Sequence, residues 1–263
     1  MARFNDVILQ GINMHDPRIA EDMSMGTTQL LVIRSDREVE DNDKKNRLDS
    51  PLVMTKDTDI VNQLAEIEEN DIIQIKGVLV TKTINKTTIC PECGKEFSTP
   101  GTIVYIEPIN ILKIKSCKTK DQAIDMLHSL KEVSNNIKII GDLCTEPEKV
   151  KIVNKKIGSI CQYQIAVPRK YRLKNQNDDV DTDYPWVKSY GKNADKDLEH
   201  LQKGAEILID GYIQARSFTR RTTCPDCGKE YEWRDNAMEI VPFATEYLKN
   251  YKKTIDATED AEE

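Results

Sequence analysis

Residues 183–242 read DYPWVKSYGKNADKDLEHLQKGAEILIDGYIQARSFTRRTTCPDCGKEYEWRDNAMEIVP. The alternation of side chains predicts a strand from Tyr184 to Tyr190, and Leu198 and Leu201 mark one side of a short helix. A second alternating run predicts a strand from Ile207 to Phe218, a hairpin tip at CPDCG, and a return strand from Ala237 to Val241. Strand, helix and long hairpin in this order form the second half of a five-stranded OB barrel.

The same stretch occurs earlier in the chain. Pro51, Leu64, Ile73, Ile75, Gly77, Cys90, Cys93, Gly94, Lys95, Glu96 and Pro108 each have an identical residue 134 positions on. Between 49–98 and 183–232, 14 of 50 positions agree without a gap, where average composition gives about 3. That excess marks an internal duplication, which precedes any fold assignment. The upstream parts agree as well. RFNDVILQGIN, a turn at Asp16-Pro17 and TTQLLVIR open the first half; NNIKIIGDL, a turn at Glu146-Pro147 and SICQYQIAVPRKYR open the second. The expected fold is therefore all-β with short helices: two tandem OB-fold five-stranded barrels, each with a zinc-knuckle hairpin between its last two strands.

Expected boundaries are a first barrel over 1–116, a connecting helix over 117–134, a second barrel over 135–250 and an acidic disordered tail over 251–263. In the connector, Ala123, Ile124, Leu127, Leu130 and Val133 lie close to a helical stripe. The mixed-charge segment 37–49 reads as a solvated loop.

The chain has 263 residues, 38% hydrophobic and 32% charged, enough for two domains with modest cores. No apolar run reaches membrane-spanning length and the N-terminus lacks a signal-peptide layout, so a soluble, unexported protein is expected. Seven cysteines, an odd number, speak against a secreted disulfide framework and for CxxC metal ligands in a reducing compartment. The net charge of −7 argues only weakly against nucleic acid, because the placement of the cations decides.

CPECGKE (90–96) and CPDCGKE (224–230) have the form of zinc knuckles. Two thiolates at CxxC spacing can meet one tetrahedral ion, and the following glycine tolerates a left-handed turn. Each half supplies two ligands where a closed site needs four, so Cys90, Cys93, Cys224 and Cys227 are expected to share one structural Zn2+, within one chain or between two. Neither motif has the strand-to-helix setting of a redox CxxC. Cys144 and Cys161 read as core residues on strands; Cys117 is open. His15, His128 and His200 are isolated. Glu96 and Glu230 read as solvated hairpin residues, and no acid–base constellation supports an enzyme.

IAVPRKYR, DYPWVKSYGKNAD, HLQKGAEILIDGYIQAR and EIVP resemble, in order and spacing, the bacterial and phage single-stranded DNA-binding protein family. The resemblance covers the second half, and reaches the first only through the duplication; CPDCGKE stands where the family has a long loop. It implies non-catalytic, weakly sequence-dependent binding of single-stranded DNA in replication, recombination or repair, in a bacterial cytoplasm, a phage-infected cell or a mobile element. It also implies assembly of four barrels, here by two chains. The residues supply what such binding needs, a cationic groove and stacking rings. Arg169, Lys170, Arg172 and Lys174 follow one strand, Arg216, Arg220 and Arg221 another, and Tyr171, Trp186, Phe218, Tyr231 and Trp233 are interleaved. In the first half Leu52, Ile84, Lys86 and Thr87 stand opposite Trp186, Phe218, Arg220 and Arg221, so that barrel is expected to bind weakly or to serve assembly. Two other readings stay open: an assembly factor of a replication or anti-defence complex, and RNA in place of DNA.

Overall fold

The computed structural model describes residues 3–34, 48–151, 158–169, 171–173 and 180–253. Lys170, Lys174, most of the mixed-charge segment and the acidic tail from 254 lie outside the described residues.

The first half comprises β1 (Asn5–Asn13), β2 (Arg18–Ile19), β3 (Gly26–Ile33), β4 (Leu48–Asp49), β5 (Leu52–Thr55), α1 (Thr58–Ala65), β6 (Ile72–Ile89) and β7 (Glu96–Lys115). After α2 (Lys120–Ser129) the second half repeats the order with β8 (Asn135–Leu143), β9 (Glu148–Lys149), β10 (Ile160–Pro168) and β11 (Thr182–Asp183). It closes with β12 (Trp186–Tyr190), α3 (Gly191–His200), β13 (Glu206–Thr223) and β14 (Glu230–Lys249). In each half the first long strand pairs with the next and with the ascending arm of the hairpin. A single parallel pairing, Val53 with Ile106 or Val187 with Ile240, closes the barrel. The tandem OB expectation holds.

Alternation along the strands fills both barrels. Val7, Leu9, Ile73 and Ile75 are wholly buried in the first, and Ile137, Tyr163, Ile207 and Ile209 in the second, within one continuous cluster. Each such aliphatic side chain contributes roughly 1.5–3 kcal/mol by leaving water. Gly77 and Gly211 sit where β6 and β13 shift register against their partners. A Cβ at these positions would lie 2.5 Å from the Glu107 carbonyl oxygen and 2.3 Å from that of Val241. Glycine is thus dictated by close backbone approach at both copies.

The halves are joined by antiparallel pairing of β1 with β8, Asn5 opposite Ile139 and Asp6 opposite Lys138. Beside this seam each half repeats one internal contact, and two further hydrogen bonds cross between the halves reciprocally. The Asn5 carboxamide exchanges two hydrogen bonds with the Leu79 backbone, and Asn135 does the same with Ile213. Asp49 accepts from the Ala215 N–H and Asp183 from the Thr81 N–H. The duplication has therefore built, inside one chain, the self-complementary interface of a twofold pair.

α2 is shorter than the sequence stripe suggests. Thr119 caps it by accepting from the Gln122 N–H, and Ala123 and Leu127 are buried against Ile12, Ile33, Ile72 and Cys117. Val133 lies beyond it and is exposed. The strand expected from Tyr184 to Tyr190 is broken at Pro185, which has no N–H to donate, just as Pro51 separates β4 from β5. Cys161 is buried on β10 as expected, whereas Cys144 lies one residue past β8 and is half-buried. Both hairpins run well beyond the stretches that alternate in hydrophobicity, to the cysteine tips.

Candidate nucleic-acid interface and four-cysteine cluster

The β6–β7 and β13–β14 hairpins project side by side, and their tips meet. Cys90 Sγ lies 3.7 Å from Cys227 Sγ and Cys93 Sγ 3.8 Å from Cys224 Sγ, with all four sulfurs within 4.8 Å of one another. A tetrahedral ion with metal–sulfur bonds of about 2.3 Å holds its sulfurs about 3.8 Å apart, so this donor set fits such an ion. Each tip has the same turn: Gly94 and Gly228 both have φ +70°, and their N–H groups donate to the carbonyls of Cys90 and Cys224. The Cys93 N–H, helped by the Glu92 N–H and the neighbouring thiols, stabilises the Cys90 thiolate against burial and brings that thiol down to about 7. The Lys95 N–H favours the Cys93 thiolate, yet burial and the three neighbouring sulfurs overcome it and push Cys93 up to about 12. Four thiolates this close need a cation to ionise together. The tips are further tied by Lys95 to Asp226 at 2.9 Å and by Lys229 to Glu92 at 3.4 Å.

Nearer the barrels the two hairpins diverge around a cleft of about 550 Å3. Its walls are paired by the duplication: Leu52 with Trp186, Ile84 with Phe218, Lys86 with Arg220. On β12, Val187 and Ser189 are buried, so Trp186, Lys188 and Tyr190 share the outer face, and Trp186 remains 39% exposed. Two carboxylates organise the cations. Asp235 accepts from Lys86 at 2.5 Å and from Arg220 at 3.4 Å. Glu239 accepts from Arg216 at 2.6 Å and from Lys188 at 3.4 Å. Among the residues that line the cleft the cations Lys86, Arg216 and Arg220 outnumber the acids Asp235 and Glu239, so the cleft is net positive in a chain of charge −7. Burial opposes ionisation of Glu239, but the hydrogen bond from Arg216 and the charge of Lys188 outweigh it and hold the carboxyl below its ordinary range. Asp235 is depressed likewise, Lys86 outweighing burial.

The residues singled out in the sequence divide into groups. Trp186, Arg216, Phe218 and Arg220 line the cleft, with the Arg216 guanidinium 5.4 Å from the Phe218 ring centre. Arg172 is exposed, and Arg221 is exposed and paired with Glu232 on the hairpin. Tyr231 and Trp233 lie elsewhere: their rings are 5.5 Å apart, Tyr231 is edge-on to Phe97 at 6.0 Å, and both are half-buried between the hairpins. Tyr171 packs against Val78, Val80 and Tyr105 of the first barrel. Arg169 corrects its expected role. It makes two hydrogen bonds, of 2.7 and 2.9 Å, to the wholly buried Asp183, and its side chain is only 9% exposed. This guanidinium is committed to an internal ion pair, the counterpart of Arg34 with Asp49. Sequence reasoning missed Tyr184, which is 48% exposed beside Trp186 in the cleft; a ring just before a proline-broken strand start was the available signal.

Residues 134–230, most of the second barrel, match the Single-strand binding protein family. Among curated relatives, Single-stranded DNA-binding protein 2 of Clostridium acetobutylicum is 29% identical over 118 residues, covering 41% of this chain and 86% of that protein. The Single-stranded DNA-binding protein of Staphylococcus epidermidis is 27% identical over 122 residues, covering 46% and 85%. Among solved structures, the wild-type single-stranded DNA binding protein from Thermus aquaticus superimposes with a TM-score of 0.56 at 13% identity, covering 95% of both chains. The likeness to that structure extends through both barrels and shows a shared fold. No helix among the described residues is long and apolar enough to cross a membrane.

Proposed function

We propose that this chain is a single-stranded DNA-binding protein that coats and protects unpaired strands during replication, recombination or repair. The observation that carries the reading is the net-positive cleft whose rings come from the barrel that matches the family. Phosphates are neutralised by Arg216, Arg220 and the exposed Arg172 and Arg221, and bases stack on Trp186, Phe218 and Tyr184. Tyr231 and Trp233 hold the two hairpins together. No bond is made or broken in the bound strand, so the role is binding and not catalysis. The site of action is the cytoplasm or nucleoid of a bacterium, or a phage-infected cell.

Cys90, Cys93, Cys224 and Cys227 hold one structural Zn2+ within the chain. Bound there, the ion supplies the charge that lets four thiolates coexist and cross-links the two hairpin tips. Residues 1–116 and 135–250 act as the two barrel units, joined by the connector 117–134 and followed by the acidic segment 251–263. Two chains pair to bring four barrels together, and the 40%-exposed Ile8 on the outer side of β1 gives that contact an apolar anchor.

The test is displacement of a labelled thymidine oligomer of roughly 30 nucleotides, long enough for two barrels at about 4–16 nucleotides each. Unlabelled oligo-thymidine displaces it efficiently and duplex DNA does not; equal displacement by duplex contradicts the reading. An oligo-uridine arm separates DNA from RNA preference.

A further inference from the structure

The cleft between the hairpins does not belong to the second barrel alone. Leu52, Ile84, Lys86 and Thr102 to Val104 of the first barrel form one wall, and Trp186, Phe218 and Met238 belong to the opposite one. The cleft is closed towards the tips. Lys86 reaches across to Asp235, and Arg220 donates to the Pro100 carbonyl at 3.3 Å. It is closed towards the barrels by the reciprocal Asp49–Ala215 and Asp183–Thr81 hydrogen bonds. A strand therefore cannot lie through the slot lengthwise, but a group projecting from a strand on the rim can enter it.

We propose that this axial cleft is a nucleobase-binding subsite shared by both barrels, with the first barrel supplying an aliphatic floor and the second a planar ring. The inference rests on the single-stranded DNA reading above. Its chemistry follows from the walls. Apolar side chains on one side, and the exposed indole of Trp186 with the half-buried phenyl ring of Phe218 on the other, accept a flat, weakly hydrated ring. Gln29 and Ser50 line the same space and offer an amide and a hydroxyl to a base edge. The surplus of cations around Asp235 and Glu239 favours the phosphates that flank an inserted base. A volume of about 550 Å3 accommodates a base with its sugar, within the range of roughly 300–1,000 Å3 typical of small-molecule sites. The replacement of an aromatic by Leu52 and Ile84 in the first copy then gains a meaning: these positions make the floor on which a base rests, not a second stacking platform.

The experiment uses the full metal-loaded chain and a thymidine oligomer of roughly 30 nucleotides carrying one 4-thiothymidine, photo-crosslinked and mapped by mass spectrometry. Crosslinks are expected both in residues 81–104 of the first barrel and in 215–239 of the second. Ile84→Trp, a neutral change on the cleft-facing side of β6 that fills the slot, is expected to lower oligo-thymidine affinity at least about fivefold while the chain stays folded by circular dichroism. Ile89→Ser, on the same hairpin but outside the cleft, is expected to have no effect. Crosslinks confined to the second barrel, together with undiminished binding by Ile84→Trp, overturn the shared subsite and leave the single-stranded DNA reading standing. Absence of oligo-thymidine binding by the unaltered chain removes both.

Discussion

Trp186 and Arg169 stand seventeen residues apart and illustrate how differently two strong sequence signals can be spent. Trp186 sits on the outer face of β12, and its exposed indole lines the cleft. Replacing it or Phe218 with alanine is expected to cost about 1–3 kcal/mol of oligo-thymidine binding, roughly 5- to 150-fold in affinity, with little change in folding stability; equilibrium titration and urea unfolding check both halves of that statement. Arg169 should behave in the opposite way. Removing one partner of a buried ion pair typically costs about 3–5 kcal/mol of stability, so Arg169→Ala is expected to unfold at much lower urea while the salt slope of DNA binding per folded molecule stays unchanged. The acid-free run of cations that contains Arg169 was legible in the sequence. Its partner was not, because Asp183 lies fourteen residues away and meets it only through the β10–β11 pairing. Glu239 gives a pH test. Its folded pKa is lowered, so its contribution is present above the unfolded value near 4.5 and is lost as pH falls through the folded value. The stability gap between the parent and Glu239→Gln is expected to widen from pH 3 to pH 6; a gap that shrinks over that range contradicts the ion-pair assignment.

The hairpins show where reading by pattern stops. From Ile207 to Ile213 the strand alternates in hydrophobicity and announces itself, but beyond Phe218 the sequence TRRTT carries no such signal. The chain nevertheless continues as strand, because alternate residues there are half-buried against the neighbouring hairpin. Only the presence of a second hairpin makes that face an interior, and a single repeat cannot display it. The four CxxC cysteines, by contrast, were legible. CxxC twice, each followed by Gly-Lys-Glu, left two ligands per half and one way to complete a site inside a chain, and the four sulfurs do converge. The glycines of the repeat were legible as identities and acquire a reason from the fold. Gly211→Ala places a Cβ 2.3 Å from the Val241 carbonyl oxygen, and is expected to lower stability by about 1–3 kcal/mol in chemical denaturation, as for overpacking of a tight site.

At the scale of the whole molecule, the two copies of the repeat meet at an internal seam and have diverged on either side of it. The first copy keeps the barrel, the glycine, the buried aspartate and the cysteine tip, and replaces rings by aliphatic side chains at the cleft. The order of elements and the repeat made this architecture readable; the pairing of β1 with β8 was not, since nothing in NDVILQGIN marks which edge will meet NNIKIIGDL. Metal analysis of the purified chain is expected to return one zinc per chain. Chelation should loosen the tips while the barrels stay folded, lowering the melting temperature by roughly 5–10 °C, as for a loss of a few kcal/mol in a chain of this size; two zincs per chain would require ligands other than the four cysteines.

The most direct test uses the chain's two tryptophans, Trp186 in the cleft and Trp233 between the hairpins. Oligo-thymidine is titrated against intrinsic fluorescence at several salt concentrations, with Trp186→Phe as the control. Quenching that saturates, disappears in the control, and weakens linearly in log affinity against log salt is the predicted result. Unquenched fluorescence at low salt, or affinity indifferent to salt, contradicts a cationic, ring-lined cleft for unpaired strands.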